Sequence, residues 1–455
     1  MAIPRGYLKI RKDSFGAEMR LHIKSRLTVV PVATSSFKGS PEPIRLIYED
    51  GDFLGIPRGI YLEHLYRYDP AIEFAPSVGS NDMREEEAIK LRVGQPEIID
   101  SAYAELTKRN FGGVIIQVPT GGGKTVLGTE LARRLRLKTL VIVHTSVLME
   151  QWIGEIEKFF PRWRIGRLQA DVIDIEGKDI VVGMLQSVAF KEYDNAVYES
   201  FGTIVCDEVH VMGAPEFSKA FPKFPAKYVI GLSATPKRKD KAEDVFKLSI
   251  GKTISGMDTV KVLKPTIYFV NTEFAWTPQK WMSGEYDKQK PHIIRSLVKN
   301  PARNEIILRN VERAAEVGRQ VLVLTERVAH AEWLGEQIEQ RVRKFGASVG
   351  VLVGEKKKVE REASMKCDVI VGTSQLISVG FNEPRLDTLI FASPIQGVEQ
   401  AIGRVLRVYD GKKEPLVIDL VDRRIPICSI LAKSRWRKYR QKGWECKGTA
   451  ILEEK

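Results

Sequence analysis

The 455-residue chain lacks the features that mark membrane, secreted and zinc-stapled proteins. It has no run of about 18 apolar residues, so no bilayer-spanning helix is expected. Its first residues, Met1 to Gly6, show neither the apolar core nor the cleavage pattern of a signal peptide. The four cysteines are scattered without a CxxC pair, and the six histidines are equally dispersed. We therefore expect no membrane partner, no disulfide framework and no structural metal, and we expect a cytoplasmic location.

The chain has fewer acidic than basic residues. The chain has 71 Lys and Arg against 58 Asp and Glu, a formal net charge of +13. A basic excess favours polyanionic partners, either nucleic acid or an acidic membrane surface, although many basic proteins bind neither. Apolar residues make up 43% of the chain, which is enough to bury sizeable cores, and the length suits two or three domains.

Two stretches of the chain share one pattern, in which short β-branched runs are each followed by a helical pattern. Continuous apolar strands that alternate with helices are typical of a parallel sheet covered on both faces. The predicted strands are 113–118, 140–143, 179–182, 203–206 and 228–231 in the first stretch, and 320–324, 349–353, 368–371, 388–391 and 416–420 in the second. The sequence predicts an α/β chain with two doubly wound parallel-sheet lobes in tandem.

The first 88 residues follow a different pattern. Alternation in residues 44–48 and 53–56, around an acidic turn, predicts a β-hairpin, and residues 75–82 have the composition of a linker. Basic residues between Arg5 and Arg26 outnumber acidic ones, which indicates either a grip on duplex DNA or a solvated face. We expect a small basic β-rich accessory domain over 1–88, a first lobe over 89–257, a second lobe over 258–430 and a basic aromatic tail over 431–455.

A glycine-rich loop, Pro119-Thr120-Gly121-Gly122-Gly123-Lys124-Thr125, follows a predicted strand and opens a helical pattern. Glycines let backbone N–H groups turn inward on phosphates, and the helix N-terminus adds positive potential. Lys124 would contact the β and γ phosphates, and the Thr125 hydroxyl would ligate Mg²⁺. The usual glycine six residues before the lysine is replaced by Val118. The alternative is a glycine-rich turn that binds no ligand.

An acidic box, Asp207-Glu208-Val209-His210, follows another apolar run. Asp207 would hold the Mg²⁺ shell and Glu208 would polarise the attacking water. Two adjacent carboxylates also occur in exposed turns, but the phosphate loop upstream favours NTP hydrolysis. Farther along, Arg404 and Arg407 lie three residues apart on a predicted helix and therefore share one face.

With these motifs the sequence resembles the superfamily 2 helicases, and the family's motifs run in the expected order from about residue 91 to residue 407. Those of the first lobe are Leu91-Arg92-Val93-Gly94-Gln95, Val143-His144-Thr145 with Gln151-Trp152, Gln186-Ser187 and Ser233-Ala234-Thr235. Those of the second are Leu324-Thr325-Glu326-Arg327, Thr373 through Pro384, and Gln400 through Arg407, which matches QxxGRxxR completely.

The resemblance implies a role for each site residue. Gln95 would read adenine, and Gly380 and Asn382 would complete the ATP site, with Asn382 standing where many relatives carry an acidic residue. Lys124, Asp207, Glu208, Arg404 and Arg407 would be catalytic, with the two arginines reaching the γ-phosphate from the second lobe. Residues coupling hydrolysis to motion would be His210, Ser233, Thr235 and Gln400. The DNA-binding residues would be Thr145, Gln186, Ser187, Thr325, Arg327 and Thr373, although helix capping is the alternative for any one hydroxyl among them.

Within that family the sequence is most similar to the XPB, restriction-motor and UvsW-type branch, which includes phage branch-migration helicases. The likeness implies RecA-like lobes, ATP and Mg²⁺, a monomer, 3′-to-5′ movement, and single-stranded, forked or branched DNA as partner. A phage-encoded enzyme would work in the host cytoplasm. An RNA helicase of the DEAD type, the motor subunit of a restriction enzyme and a nucleotide-gated DNA clamp remain as alternatives.

Two aromatic segments allow two interpretations each. The segment from Lys433 to Trp444 interleaves cations with aromatic residues, which suits either nucleic-acid binding or the packing of a terminal helix. Residues 274–286 form either a strand-separating wedge or a core-packing insertion, and the sequence slightly favours the insertion.

Overall fold

The computed structural model describes residues 2–32, 42–68, 70–79, 83–119, 121–214, 218–234, 242–256, 263–277, 286–354, 358–374, 383–395, 398–406, 409 and 411–449. Two compact units make up the chain, Met1–Val260 and Lys261–Lys455. Within the described ranges, no helix combines the length and the apolar character needed to cross a membrane.

The described residues of the N-terminal part of the first unit include six short strands and two α-helices. The strands are β1 (Leu8–Arg11), β2 (Thr28–Val29), β3 (Ile44–Arg45), β4 (Tyr48–Asp50), β5 (Phe53–Ile56) and β6 (Ile72–Glu73), and the helices are α1 (Ala17–Arg26) and α2 (Arg58–Ile60). The predicted hairpin is confirmed, since β4 pairs antiparallel with β5 in the sheet β4-β5-β1-β6. Residues 44–48 do not form one strand, because Leu46 is buried and donates its N–H to Leu27, which leaves β3 to pair with β2.

This N-terminal part shares a core with the rest of the first unit. Leu8, Ile10 and Leu54 lie in one buried cluster with Phe111 and Val245, which belong to the following lobe. Arg58 reinforces the junction from a position only 3% exposed. Its guanidinium donates to the carbonyls of Ala226 at 2.8 Å, Lys227 at 3.1 Å and Gly112 at 3.2 Å. The accessory segment is therefore packed onto the first lobe, and its predicted limit at residue 88 stays a prediction.

A large, mostly parallel sheet forms the centre of the first unit. Its strands are β7 (Gly112–Gln117), β8 (Thr139–Val143), β9 (Ile165–Gln169), β10 (Val172–Asp174), β11 (Ile180–Met184), β12 (Thr203–Cys206), β13 (Tyr228–Ser233) and β14 (Lys252–Ser255). They lie in the order β10-β9-β11-β8-β12-β13-β7-β14, and β10 pairs antiparallel with β9. The surrounding helices are α3 (Gln95–Thr107), α4 (Lys124–Leu135), α5 (Ser146–Phe159), α6 (Leu185–Phe190), α7 (Asn195–Glu199) and α8 (Glu243–Ile250).

The second unit repeats this architecture. Its strands are β15 (Thr266–Asn271), β16 (Val321–Thr325), β17 (Val349–Leu352), β18 (Val369–Thr373), β19 (Thr388–Phe391), β20 (Leu416–Val421) and β21 (Glu445–Lys447). They form a parallel sheet in the order β17-β18-β16-β19-β20-β15-β21. The helices are α9 (Tyr286–Leu297), α10 (Pro301–Glu316), α11 (Val328–Val342), α12 (Lys358–Met365), α13 (Glu399–Val405) and α14 (Pro426–Gln441). The predicted α/β class with two doubly wound, RecA-like lobes is confirmed.

Residues 431–449, expected as part of a basic aromatic tail, instead belong to the second unit. They supply most of α14 and the edge strand β21, which pairs parallel with β15. Arg435 is buried and forms a bidentate pair with Asp419, with N···O distances of 2.6 and 2.8 Å. Tyr439 is 1% exposed and donates to the same carboxylate at 3.1 Å. Packing, rather than base stacking, accounts for these two side chains.

The aromatic segment after β15 is also packed in the part that the structure describes. Phe274 is buried in a cluster with Ile293, Leu297 and Cys428, and Trp276 packs against that cluster. This arrangement agrees with the core-packing interpretation. Residues 278–285, which include the remaining candidates for a wedge, lie outside the described residues.

Candidate functional site

The glycine loop joins β7 to α4 at the carboxyl end of the first sheet. Gly121 and Gly123 have φ values of 86° and 82°, which residues with a Cβ rarely adopt. The N–H of Gly122 donates to the carbonyl of Pro119 at 2.9 Å, and the helix begins at Lys124. Thr125 lies in the first turn and is 8% exposed. The local geometry is therefore that of a phosphate-binding turn at a helix N-terminus. Thr120 lies outside the described residues.

Gln95 braces this loop from the first residue of α3. Its side chain is 2% exposed. The amide donates to the carbonyl of Gly122 at 3.0 Å and accepts from the N–H of Arg92 at 2.8 Å. A Cβ at Gly123 would lie 2.5 Å from the Gln95 amide nitrogen, so this close approach requires glycine. In this structure Gln95 supports the phosphate loop, and its reading of adenine stays a prediction.

The acidic box lies beside the loop, at the end of β12. Lys124 forms an ion pair and hydrogen bond with Glu208. Glu208 has a φ of 46°, and such strained conformations of non-glycine residues are found preferentially at functional sites. The carboxylate of Asp207 is buried, and it accepts from its neighbour's N–H at 2.9 Å and from the indole N–H of Trp152 at 2.9 Å.

The two carboxylates have opposite electrostatic environments. Burial, with the neighbouring charge of Glu208, raises the pKa of Asp207, and this outweighs the opposing effects of the Lys124 charge and the Trp152 hydrogen bond. Burial also opposes ionisation of Glu208, but its hydrogen bond with His210 and the charge of Lys124 outweigh this cost and lower its pKa to about 2. Glu208 is therefore a carboxylate at neutral pH. Asp207 is a desolvated acid that a cation would stabilise in its charged form.

His210 and Ser233, two of the predicted coupling residues, meet in this site. The His210 Nδ1 lies 3.2 Å from the Ser233 hydroxyl and 3.3 Å from a Glu208 carboxylate oxygen. The acidic box and the end of β13 are thus linked through one imidazole. Thr235 lies outside the described residues, and the side chain of Gln400 is likewise not described.

The residues present fit a magnesium nucleotide. Backbone N–H groups of the loop and the ammonium of Lys124 suit phosphate oxygens, and a buried carboxylate and a hydroxyl are oxygen ligands that suit Mg²⁺. Thr125 and Asp207 are the residues that would hold the metal, which would neutralise phosphate charge. Three further residues predicted for the ATP site, Gly380, Asn382 and Arg407, lie outside the described residues. Arg404 is described only in its backbone, within α13.

The predicted nucleic-acid contacts of the first unit cluster after two neighbouring strands, β8 and β11. Thr145 caps α5 by accepting from the N–H of Leu148 at 3.3 Å. Gln186 is exposed and donates to the carbonyl of His144 at 3.1 Å. Ser187 is 9% exposed, and its hydroxyl accepts from the N–H of Ala170 at 2.9 Å. Gln186 is therefore the most accessible of the three.

In the second unit, Thr325 and Thr373 are paired across β16 and β18. Thr325 is fully buried, with its hydroxyl 2.8 Å from His330 Nδ1 and 3.1 Å from the hydroxyl of Ser393. This burial corrects the expectation that Thr325 contacts a nucleic-acid strand, because its hydroxyl serves a buried network. Thr373 is 8% exposed, whereas Arg327 is exposed and remains the more accessible candidate.

The basic N-terminal segment carries more balanced charge than its composition suggests. Ion pairs join Lys9 to Glu73, Arg11 to Asp13, Lys24 to Glu49 and Arg26 to Asp244, at N···O distances of 2.7 to 3.0 Å. Exposed pairs of this kind contribute little stability, but they lower the positive potential available to a polyanion. The segment therefore offers weaker support for a duplex grip than its sequence does.

Two buried residues near these sites escaped assignment from the sequence. Trp152 has no individual role in the sequence motif, yet it contacts Asp207. His330 connects Thr325 to Asn304. The side-chain amide oxygen of Asn304 lies 3.1 Å from His330 Nε2. Both side chains are buried, and burial makes each one bond to a neighbouring polar group. A sequence pattern can predict that a residue is buried, but it does not predict which residue it contacts.

Comparisons with known proteins find relatives among helicases. The family described as "Type III restriction enzyme, res subunit" matches residues 88–238. The chain is 27% identical over 426 residues to the putative ATP-dependent RNA helicase L396 of Acanthamoeba polyphaga mimivirus, covering 92% of this chain and 80% of that protein. It is 31% identical over 330 residues to the putative helicase 161L of Invertebrate iridescent virus 6, covering 68% and 72%. Among solved structures, the crystal structure of T4 UvsW aligns over 95% of both chains, with 17% identity and a TM-score of 0.39.

Proposed function

This chain belongs to the superfamily 2 helicases, and from that premise we propose that it is an ATP-driven motor that moves along DNA and remodels forked or branched structures. The observation that carries the hydrolytic part is the ion pair of Lys124 with Glu208 beside the buried Asp207. This arrangement places a cation suited to phosphate and an ionised carboxylate beside the end of one strand. ATP and Mg²⁺ are the cofactors of the family.

Each residue of the first unit has a distinct task in this proposal. Lys124 exchanges its partner Glu208 for phosphate oxygens when nucleotide binds. Glu208, released from the lysine, orients a water molecule and accepts its proton. His210 keeps Glu208 in position through the contact at 3.3 Å. A movement of Glu208 would shift the imidazole and thereby its contact with the Ser233 hydroxyl at 3.2 Å. Bound Mg²⁺ supplies charge neutralisation, which Thr125 and Asp207 direct.

The second unit contributes Arg404 and Arg407 in this proposal, on the strength of the complete QxxGRxxR motif. An arginine that neutralises charge developing on the γ-phosphate typically raises the rate by ~10³–10⁵. Movement from 3′ to 5′, a monomeric state and the UvsW-type branch rest on the sequence resemblance alone.

The residues of two sequence motifs favour DNA over RNA as the substrate. Val209-His210 in the acidic box and Gln151-Trp152 differ from the DEAD-type pattern. An RNA helicase is the second candidate, because the mimivirus relative carries that description. Exposed Gln186 and Arg327 would contact the backbone of either polymer, since amide and guanidinium donors bind phosphates without reading sequence.

The test is the steady-state ATPase rate of the full chain with no polymer, single-stranded DNA, forked DNA, a four-way junction and structured RNA. We expect forks or junctions to stimulate hydrolysis most strongly, followed by strand displacement on the same substrates. Stimulation by RNA alone would remove the DNA assignment. Stimulation by DNA without displacement or translocation would favour the nucleotide-gated clamp.

Glu208→Gln tests the role of the catalytic carboxylate, because it preserves the size of the side chain and removes its ability to accept a proton. We expect this variant to bind a fluorescent ATP analogue as the parent does, with kcat lowered by about two to four orders of magnitude. Hydrolysis at the parental rate would show that Glu208 is not the base.

A further inference from the structure

Trp152 belongs to the family motif that also contains the predicted DNA contact Thr145, yet its side chain is buried. It is 1% exposed and sits in the core of the first unit. Its indole N–H donates to Asp207 Oδ2 at 2.9 Å, and the acceptor is itself only 7% exposed. A buried donor on a charged acceptor is a strong orienting contact, because no water is available to replace it.

The contact fixes which way the carboxylate of Asp207 faces. Its Oδ1 accepts from the N–H of Glu208 at 2.9 Å, so a separate donor holds each oxygen. The other side of the indole meets the phosphate-loop helix α4, where a Cβ at Gly128 would lie 3.0 Å from Trp152 Cη2. One ring therefore contacts both the acidic box and the helix that follows the phosphate loop.

The ring is carried by the helix whose N-terminus holds the predicted strand contacts. Helix α5 begins after Thr145, its capping residue, and Trp152 follows seven residues later, two turns along the same face. Gln186 bonds to the carbonyl of His144, immediately before the cap. A ligand that moves Gln186 or Thr145 thus acts on one end of a helix that also carries the contact to Asp207.

We propose that Trp152 is a positioning residue that couples nucleic-acid binding at the start of α5 to the orientation of the metal-holding carboxylate Asp207. This inference rests on the proposed function. Removal of an outer-shell partner of a metal ligand typically costs about 10–100-fold in metal affinity or activity. We expect a loss of that size in the Mg²⁺ dependence and in the stimulated rate, without loss of polymer affinity.

Trp152→Phe tests the proposal, because it removes the N–H and keeps most of the ring. The chain offers a matched control in Trp163, another buried indole of the same core, which donates to a backbone carbonyl of Arg84 at 2.9 Å. Trp163→Phe removes an indole hydrogen bond of the same length away from the acidic box. Both full-length variants are compared for thermal midpoint, polymer affinity, ATPase rate with and without polymer, and binding of a fluorescent ADP with Mg²⁺ or with EDTA.

We expect Trp152→Phe to raise the Mg²⁺ concentration for half-maximal rate about 10-fold or more and to weaken ADP binding only when Mg²⁺ is present. We expect its polymer-stimulated rate to fall more than its basal rate, while Trp163→Phe retains parental values. Equal behaviour of the two variants overturns the proposal. If no polymer stimulates the parent chain, the motor function fails, and the Mg²⁺ dependence of ADP binding still decides the role of Trp152.

Gly128→Ala keeps the test decisive if Trp152→Phe fails to fold. The added methyl would lie 3.0 Å from the Trp152 ring, 3.1 Å from Leu232 and 3.2 Å from Val205, so it presses on the indole while the indole N–H is retained. We expect the same Mg²⁺-specific weakening of ADP binding at a smaller scale. An unchanged ratio between Mg²⁺ and EDTA in a folded Gly128→Ala protein contradicts the positioning role.

Discussion

Acidification should destabilise the second unit through His330. This side chain is 4% exposed and lies between the hydroxyl of Thr325 and the carbonyl oxygen of Asn304. Burial, helped by the charge of Arg303, lowers its pKa from the ordinary value of 6.5 to about 3. The folded unit therefore holds a neutral imidazole at pH values where the unfolded chain binds a proton.

The size and sign of the effect follow from linkage. Stability decreases as the pH is lowered wherever the unfolded state binds more protons than the folded state, here below about pH 6.5. At pH 5 the pH is 1.5 units below the pKa of the histidine in the unfolded chain, so that histidine is protonated, whereas the histidine in the folded unit is still neutral. The difference is about 2 kcal/mol, from ~1.36 kcal/mol for each unit. For a unit of this size it lowers the melting temperature by about 4–8 °C.

Urea unfolding of the second unit at pH 7.5 and pH 5, followed for the parent and for His330→Gln, measures this quantity. Glutamine retains a donor and an acceptor but cannot titrate, so we expect the variant to lose about 2 kcal/mol less than the parent on acidification. His22→Gln, at an exposed histidine of the first unit, should behave as the parent does. Parallel losses in the parent and in His330→Gln would refute the reasoning.

Two further predictions concern the junction in the first unit and the arginine motif of the second. Arg58→Met removes three charge-assisted bonds to carbonyl oxygens and also removes a desolvated guanidinium, so the first unit should lose about 2–4 kcal/mol in denaturant unfolding. A loss below about 1 kcal/mol would mean that the apolar core alone fastens the N-terminal segment. Arg404→Ala should lower kcat by about 10³-fold while leaving binding of a fluorescent ATP analogue intact, and an unchanged kcat would remove Arg404 from the catalytic set.

Local chemistry made part of this protein predictable from sequence. Continuous Val and Ile runs bury themselves on both faces, so the strands around Val141 and Val323 were predictable without tertiary information. The phosphate loop was predictable for a similar reason, because glycines at positive φ followed by Lys124 create their own local geometry. The accessory hairpin at Gly51 follows from turn chemistry in the same way.

Long-range partners are what the sequence left undetermined. The same pattern of aromatic and basic residues suits a nucleic-acid surface or a packed helix, and only the burial of Arg435 against Asp419 decides between them. The hydroxyl of Thr325 is a phosphate donor by motif and a buried network member by structure. Trp152 and Asp207 are 55 residues apart in sequence and are joined by a single hydrogen bond. Sequence determined which residues carry the chemistry, and tertiary packing decided which polar groups remain free to perform it, because burial commits a donor or acceptor to its nearest partner.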